Sequence, residues 1–176
     1  MKLDKKVLVV IRGPICAGKS TTAEALRRLI PDASRVDFDA FKVQLDNRGS
    51  SVWRRKTAER LALFMTKLVM QEGKPLIIDF PSNNMYLYQW YEQMAFERKY
   101  QFFSFLVEAS LDICQQRNRL RAIPGAAYRL SPDMIEDFWK GTIPIEGEPR
   151  FRSEEMTPEE IARQIRNLLL EEKTHE

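Results

Sequence analysis

The sequence predicts an α/β domain of three layers, in which helices cover both faces of a parallel β-sheet. Short apolar runs rich in β-branched residues, among them Val7 to Ile11 and Leu76 to Ile78, are typical of strands buried on both faces. These runs alternate with longer stretches of helical periodicity, as βαβ units require. At 176 residues, without an internal repeat or a low-complexity linker, the chain fits one domain with its own core.

Apolar patterning and helix-breaking residues place the elements in order. Four strands are predicted: Val7–Ile11, a short segment ending at Val36 or Asp37, Leu76–Ile78 ending at Asp79, and Phe102–Val107. Helices are predicted over 19–30, 52–72, 85–99 and 111–121, and two more follow Ser131 and Thr157. Pro31 closes the first helix, Gly73 is the C′ residue of the second, and Pro124-Gly125 breaks the fourth. Residues 141–149 form a turn-rich connection.

Capping residues mark the starts of the last two helices. Ser131 is suited to the N-cap, and Pro132 fits the first helical position. Thr157 and Glu160 have the spacing of a capping box, in which each side chain accepts a hydrogen bond from the other residue's backbone N–H. Both helix starts therefore follow from residue type as well as from periodicity.

The composition excludes several functional classes. With 44% hydrophobic and 30% charged residues, the chain is neither disordered nor collagen-like. The only histidine, His175, lies next to the C-terminus, where a buried catalytic position is not expected. Triad hydrolases and most zinc enzymes are therefore excluded, and acid–base chemistry falls to carboxylates.

Cysteine usage and charge indicate the compartment and the partners. Cys16 and Cys114 are far apart in sequence and form no disulfide framework, which favours a reducing compartment. The apolar run at Val7 to Ile11 is too short to span a bilayer or to act as a signal segment. We therefore expect a cytoplasmic protein without membrane association, either a monomer or a homodimer. The net charge of +3 suits a phosphate ligand, and it permits a nucleic-acid partner without favouring one.

Residues 13–20, GPICAGKS, carry the strongest chemical signal. They match GxxxxGK[ST] at every fixed position, between a buried strand and a helix, which is the context that this phosphate-binding loop (P-loop) requires. Backbone N–H groups of such a loop hold phosphate oxygens, Lys19 reaches the β- and γ-phosphates, and the Ser20 hydroxyl ligates Mg²⁺. The predicted nucleotide site comprises Gly13, Pro14, Ile15, Cys16, Ala17, Gly18, Lys19, Ser20 and Thr21.

With this motif in this layout, the chain resembles the small P-loop kinases (adenylate-kinase-like, AAA-type). It is most similar to the kinase domain of polynucleotide 5′-hydroxyl kinases and to the group of zeta-toxin kinases and chloramphenicol phosphotransferase. The resemblance covers nearly the whole chain and is specific at four places, namely the P-loop, 36–42, 76–79 and 114–121. It implies one kinase domain over 1–176, a five-stranded P-loop NTPase sheet of order 2-3-1-4-5, and a small helical lid at about 121–152.

Residues 36–42, VDFDAFK, follow the second predicted strand. In the similar kinases an Asp here faces the acceptor hydroxyl as general base, and a basic residue three positions later holds an acceptor phosphate; Asp39 and Lys42 match that spacing. The lack of a usable histidine also assigns proton transfer to a carboxylate. Asp37 and Asp39 would point the same way on a strand, so one of them is expected to serve the metal and the other the acceptor. The alternative is an Asp that caps a helix over 40–46.

The third place of resemblance, Leu76 to Asp79, has the pattern of a Walker B strand. Its terminal carboxylate is expected to face Ser20 and to help hold Mg²⁺ through water. The similar kinases continue with a small residue, Thr and Asn, whereas this chain continues with Phe80, Pro81, Ser82, Asn83 and Asn84. Asn83 or Ser82 is the expected substitute at the acceptor site.

Arg117 and Arg121 match the arginines with which similar kinases begin their lid. Four residues apart, they share one helix face, from which guanidinium groups can reach the β- and γ-phosphates and stabilise the transition state. A basic face exposed to solvent is the alternative interpretation.

Together these residues predict an ATP-dependent, Mg²⁺-requiring kinase that transfers the γ-phosphoryl group to a hydroxyl. The acceptor is a small molecule, a nucleoside or nucleotide, or a polynucleotide 5′-end. Asp39 is the expected base, Lys19 with the two arginines stabilises the transferring charge, and Ser20 with Asp79 and Asp37 holds the metal. The alternative is a regulatory ATP-binding switch with slow hydrolysis. A GTPase would carry an Asn-Lys-x-Asp motif, and none occurs.

Overall fold

The computed structural model describes residues 6–45, 51–80, 84–120 and 130–171. These ranges contain five strands and seven helices. In chain order they are β1 (Val7–Arg12), α1 (Lys19–Leu29), β2 (Ser34–Asp37), α2 (Phe38–Leu45), α3 (Val52–Gln71), β3 (Leu76–Asp79), α4 (Met85–Glu97), β4 (Gln101–Glu108), α5 (Leu111–Leu120), α6 (Pro132–Lys140), β5 (Arg150–Arg152) and α7 (Pro158–Glu171).

The five strands form one parallel sheet of order β2-β3-β1-β4-β5, which confirms the predicted order 2-3-1-4-5. β1 lies at the centre, and all six of its residues are buried. Asp79, the last residue of β3, pairs with Ile11 of β1 on one side and with Asp37 of β2 on the other. The carboxyl ends of these three strands therefore meet at one level, where ligands bind in open α/β sheets.

Helices cover both faces of the sheet, as the predicted three-layer architecture requires. On one face, Val9 and Ile11 belong to a core that includes Leu26 of α1 and Ile161 of α7. On the other face, the core joins Leu8 and Val10 to α3 and α4. The predicted start of α7 is confirmed: the Thr157 N–H donates to Glu160 Oε2 over 2.7 Å, and the Glu160 N–H donates back to the Thr157 hydroxyl. Among the described helices, none has the combination of length and apolar character needed to cross a bilayer.

Two parts of the fold differ from the sequence prediction. β2 ends at Asp37 and α2 begins at Phe38, so Asp39 lies on a helix, and the expectation that Asp37 and Asp39 share one strand face is wrong. The helix cap is Asp37, whose Oδ1 accepts a hydrogen bond from the Ala40 N–H over 3.0 Å. The second difference is β5: the five-stranded sheet implied by the resemblance requires a fifth strand, but no sequence pattern located it, and it ends the segment 121–152 assigned to a lid. Three residues with one buried side chain, Phe151, give no periodic signal.

A buried ion pair attaches the connection between α6 and β5 to the central strand. Arg12, the last residue of β1, is fully buried, and its Nη1 donates to Glu148 Oε2 over 2.7 Å. Its Nη2 donates to the carbonyl oxygen of Ile143 over 2.7 Å, and its guanidinium lies over the Tyr88 ring of α4. The Ser104 hydroxyl of β4 bonds the other carboxylate oxygen of Glu148. This cluster joins β1, β4, α4 and the connection 141–149 immediately before the P-loop.

Substituting Glu148 tests the contribution of this cluster. Glu148→Ala leaves the Arg12 guanidinium buried without its carboxylate, and we expect the free energy of unfolding in urea to fall by about 3–5 kcal/mol. The double variant Arg12→Met with Glu148→Leu removes both charges and is expected to recover most of that loss. Glu146→Ala, at an exposed neighbouring position, serves as the control. Equal unfolding free energies for Glu148→Ala and Glu146→Ala would contradict the assignment.

Candidate active site

The P-loop connects β1 to α1 through backbone conformations that its sequence permits. Gly13 has φ 142°, and a Cβ there would lie 1.8 Å from the carbonyl oxygen of Val107 in β4. Gly18 is the N-cap residue of α1, in the left-handed region at φ 101°. Cys16 is also left-handed, at φ 63°, which costs a non-glycine residue about 1–2 kcal/mol. The two fixed glycines of the motif are therefore required by close approach and by backbone geometry.

Lys19 lies in the first turn of α1 and folds over the loop. Its Nζ donates to the carbonyl oxygen of Pro14 over 2.8 Å. Burial lowers the pKa of Lys19 from its ordinary value, and the nearby carboxylates of Asp79 and Asp39 oppose that shift. The ammonium group therefore lies between the loop and the acidic end of the sheet, within reach of both.

Asp79 and Asp37 form the acidic end of the sheet, and one arginine bridges them. Asp79 is only 7% exposed, and burial raises its pKa, whereas the Lys19 charge and a hydrogen bond from the Ser20 hydroxyl lower it. Nη2 of Arg35, on β2, donates to Asp37 Oδ2 over 2.6 Å and to Asp79 Oδ2 over 2.9 Å. Arg35 was not among the predicted site residues. The period of two along β2, which places Arg35 on the same face as Asp37, is the signal that could have identified it.

Asp39 and Lys42 form an ion pair on α2. Lys42 Nζ lies 2.5 Å from Asp39 Oδ1, and it also lies 4.7 Å from the centre of the Phe38 ring. The Asp39 side chain is 68% exposed. The spacing of three residues predicted from the sequence is therefore the i, i+3 spacing of a helix face, and both side chains face the same cavity.

Arg117 links α5 to the P-loop and to the end of β5. Its Nη1 donates to the carbonyl oxygens of Cys16 and Ala17 over 3.3 and 3.2 Å and to the Ser153 hydroxyl over 2.8 Å. Its Nη2 donates to the Ser153 carbonyl oxygen over 2.8 Å. These contacts contradict the alternative of a solvated surface charge for Arg117. Ser153 was not predicted, because it follows a strand that has no sequence signal.

A cavity of about 550 Å³ brings most of the predicted residues together. Its wall includes Ile15, Cys16, Gly18, Lys19, Ser20, Thr21, Asp37, Asp39, Lys42, Asp79 and Arg117. Gly13, Pro14 and Ala17 are buried within the loop itself. Asn83 and Arg121 lie outside the described residues. The wall also contains residues that sequence analysis did not identify, namely Phe38, Phe80, Leu120, Phe138, Ser153 and Pro158.

The residues beside the loop fit a magnesium ion that accompanies a nucleotide. The Ser20 hydroxyl and the Asp79 carboxylate are hard oxygen donors, and both line the cavity. Within the described ranges, no group of three or more His, Cys, Asp and Glu side chains could hold a metal by protein ligands alone. Mg²⁺ commonly combines one or two protein ligands with phosphate oxygens and water, and this donor set meets that requirement.

The family follows from the sequence together with this loop. A model of the AAA_33 family, described as an AAA domain, matches residues 8–137, which is more than half of the chain. The chain belongs to this AAA domain family. No curated protein matches it.

Several solved structures have the same fold as this AAA domain protein. The APS kinase CysC of Mycobacterium tuberculosis, solved in complex with AMPPNP and APS, superposes with a TM-score of 0.70 at 18% identity, covering 95% of this chain and 98% of that chain. A putative kinase from Chloroflexus aurantiacus gives 0.71 at 22% identity, covering 96% and 98%. The tunicamycin resistance protein of Deinococcus radiodurans gives 0.66 at 17% identity, covering 94% and 96%. The chain therefore has the fold of the small P-loop kinases over nearly its whole length.

The close packing of Gly13 on β4 gives a test of the loop geometry. In Gly13→Ala the new methyl group meets the Val107 carbonyl oxygen, so we expect the free energy of unfolding to fall by more than about 3 kcal/mol and binding of an ATP analogue to be lost. Gly147→Ala is the matched control, because Gly147 is also left-handed, at φ 75°, but no atom lies within 4 Å of a Cβ there. We expect that variant to lose only about 1–2 kcal/mol and to bind the analogue normally. Similar binding by both variants would show that the close approach is not required.

Proposed function

We propose that this protein is an ATP-dependent phosphotransferase that moves the γ-phosphoryl group of ATP to a hydroxyl acceptor. The observation that carries the proposal is the shared cavity, in which the P-loop faces an exposed carboxylate paired with a lysine, Asp39 with Lys42. A phosphoryl transfer to a hydroxyl requires a carboxylate in this position, whereas nucleotide binding or hydrolysis alone does not require it. The kinase fold of the similar structures supports the same conclusion.

The hydrogen bonds favour Asp39 over Asp37 as the general base. Both carboxylate oxygens of Asp37 are engaged, Oδ1 with the Ala40 N–H and Oδ2 with Arg35. The Asp39 side chain is 68% exposed at the cavity wall, and it pairs with Lys42, whose ammonium group is carried on a flexible four-carbon chain. We therefore assign acceptance of the hydroxyl proton to Asp39, and we assign a structural role beside the metal to Asp37.

The positive groups are distributed along the path of the phosphoryl group. The loop N–H groups and the start of α1 bind phosphate oxygens, and Lys19 exchanges its bond to the Pro14 carbonyl oxygen for the β- and γ-phosphates. Arg117 fixes the loop conformation through its hydrogen bonds to the carbonyl oxygens of Cys16 and Ala17, and it adds positive charge near the phosphates. Mg²⁺, held by Ser20 and through water by Asp79, would neutralise charge on the phosphates.

Lys42 provides a contact for an acidic group on the acceptor. Such a group, placed beside the acceptor hydroxyl, would attract the Lys42 ammonium group away from Asp39 and leave that carboxylate ready to accept the proton. Among the similar structures, the M. tuberculosis enzyme was solved with APS, and the D. radiodurans protein is a tunicamycin resistance protein. These names support a small-molecule acceptor, with a nucleotide among the first compounds to test.

Substituting Asp39 tests the assignment of the general base. Asp39→Asn is expected to lower kcat by a factor of about 10² to 10⁴ while ATP affinity is retained, because the positioned base is lost but no nucleotide contact is. Transfer of labelled γ-phosphate is measured with Mg²⁺ on a panel of nucleosides, nucleotides, 5′-hydroxyl oligonucleotides, sugars and hydroxylated antibiotics. Asp112→Asn is the matched control, since Asp112 is also an exposed residue in the first turn of a helix.

The outcome separates the kinase from the nucleotide switch. A labelled product that disappears in Asp39→Asn and persists in Asp112→Asn supports the proposal and identifies the acceptor class. Inorganic phosphate alone, released equally by both variants and the unsubstituted protein, would favour the regulatory switch. Loss of ATP affinity in Asp39→Asn would instead assign that carboxylate to the metal.

Substituting Lys19 tests the assignment of the P-loop as the phosphate site. Lys19→Ala is expected to abolish transfer to every acceptor, because Lys19 is the only lysine in residues 13–20 and its ammonium group is removed. Lys140→Ala, an exposed lysine at the end of α6, is the control and should leave transfer unchanged. Near-normal turnover by Lys19→Ala would refute the assignment of the P-loop as the phosphate site.

A further inference from the structure

We propose that Arg35 competes with divalent metal for Asp37 and Asp79, so that the metal binds this protein together with nucleotide and only weakly by itself. The inference rests on the proposed function, because it concerns the metal of that reaction. It assigns Arg35 a role that neither the P-loop motif nor the Walker B strand indicates. Arg35 is a positioning residue in this account, since it acts through the two carboxylates.

The geometry places one guanidinium nitrogen between the two carboxylates. Arg35 Nη2 lies 2.6 Å from Asp37 Oδ2 and 2.9 Å from Asp79 Oδ2, and the arginine side chain is 18% exposed. The two acidic residues pair directly across β2 and β3, so their charges repel each other unless a cation lies between them. The guanidinium supplies that cation. A bridge of this kind between adjacent strands holds both carboxylates in one orientation.

A third carboxylate holds Arg35 in place from α1. Glu24 Oε2 lies 3.5 Å from Arg35 Nη1, and the same carboxylate is bonded by Arg27 over 2.8 Å and contacted by Arg28 over 3.4 Å. The hydrogen bond from Arg27, followed by the charges of Arg27, Arg28 and Arg35, lowers the pKa of Glu24 to about 2, although partial burial opposes the shift. Glu24 therefore stays charged near neutral pH and restrains Arg35 on its other side.

These contacts oppose the binding of a metal ion without nucleotide. A divalent ion held at Asp79, directly or through water, would lie close to the guanidinium that bonds the same carboxylate, and like charges that close repel each other in a partly buried site. A nucleotide brings phosphate charges that offset this repulsion, so the metal and the nucleotide bind together. The consequence is a site that discriminates against free metal although it contains two acidic side chains.

The test measures metal binding without catalysis. Mn²⁺ is titrated into the full chain without nucleotide, and free Mn²⁺ is followed by its electron paramagnetic resonance signal. Arg35→Met is expected to tighten Mn²⁺ binding by about tenfold or more, which is the order of the effect of removing one charge near a site. Arg35→Lys retains the positive charge and should keep Mn²⁺ binding weak. The double variant Arg35→Met with Asp79→Asn should lose the gain, which locates the ion at this carboxylate.

Arg28→Met is the matched control, because it also removes a positive charge beside Glu24, whereas Arg28 is 68% exposed and makes no bond to Asp37 or Asp79. An equal gain in Arg28→Met and Arg35→Met, or no gain in Arg35→Met, overturns the proposal. In the unsubstituted protein, Mn²⁺ binding without nucleotide that is as tight as in Arg35→Met also overturns the proposal. None of these arms uses an acceptor, so a failed transfer assay and a failed metal assay remain distinguishable.

Discussion

The parallel register of β2, β3 and β1 is the constraint on which the site depends. It sets Asp37, Asp79 and Ile11 at one level, two residues before the chain leaves β1 at Gly13. The loop that follows can fold back to start α1 only because Gly13 packs against the β4 backbone without a side chain. Lys19 and Ser20 then lie beside Asp79 as a consequence of that register. A shift of one residue in β3 would turn the carboxylate to the other face of the sheet.

The two faces of the sheet carry different kinds of ion-pair cluster, one fully buried and one open to the cavity. On the face of α4, Arg12 and Glu148 form a closed pair that attaches the connection after α6 and has no exposed group. On the face of α1, Arg35 joins Glu24, Asp37 and Asp79 in a cluster that opens into the cavity through the two aspartates. A fully enclosed pair stabilises the fold only if both members are present, whereas a cluster at a cavity wall can exchange partners with a ligand. The first arrangement is therefore structural and the second is available for chemistry.

The fold could be predicted from the sequence to the extent that elements carry their own periodicity. The buried strands β1 and β3, the long helix α3 and the capping box of α7 follow from patterns of a few residues each. β5 does not, because its place in the sheet is determined by pairing with β4 rather than by its own three residues. The end of β2 at Asp37 was predicted, but a helix was considered only from residue 40, so the position of Asp39 on α2 was missed. Asp37 and Asp39 both line the cavity, although not through the shared strand face from which their proximity was expected.

A motif match identifies where a phosphate-binding loop lies in the chain, but it does not identify the distant residues that hold the loop in its conformation. The fixed glycines, Lys19 and Ser20 were predictable because the motif specifies the residue types that the loop backbone and the phosphate groups require. The loop conformation also depends on Arg117, which bonds the carbonyl oxygens of Cys16 and Ala17 and fastens them to Ser153 after the edge strand. Those three segments are distant in the chain, so no local pattern relates them. The shape of the P-loop is thus determined partly by contacts at the far edge of the sheet, which the motif does not specify.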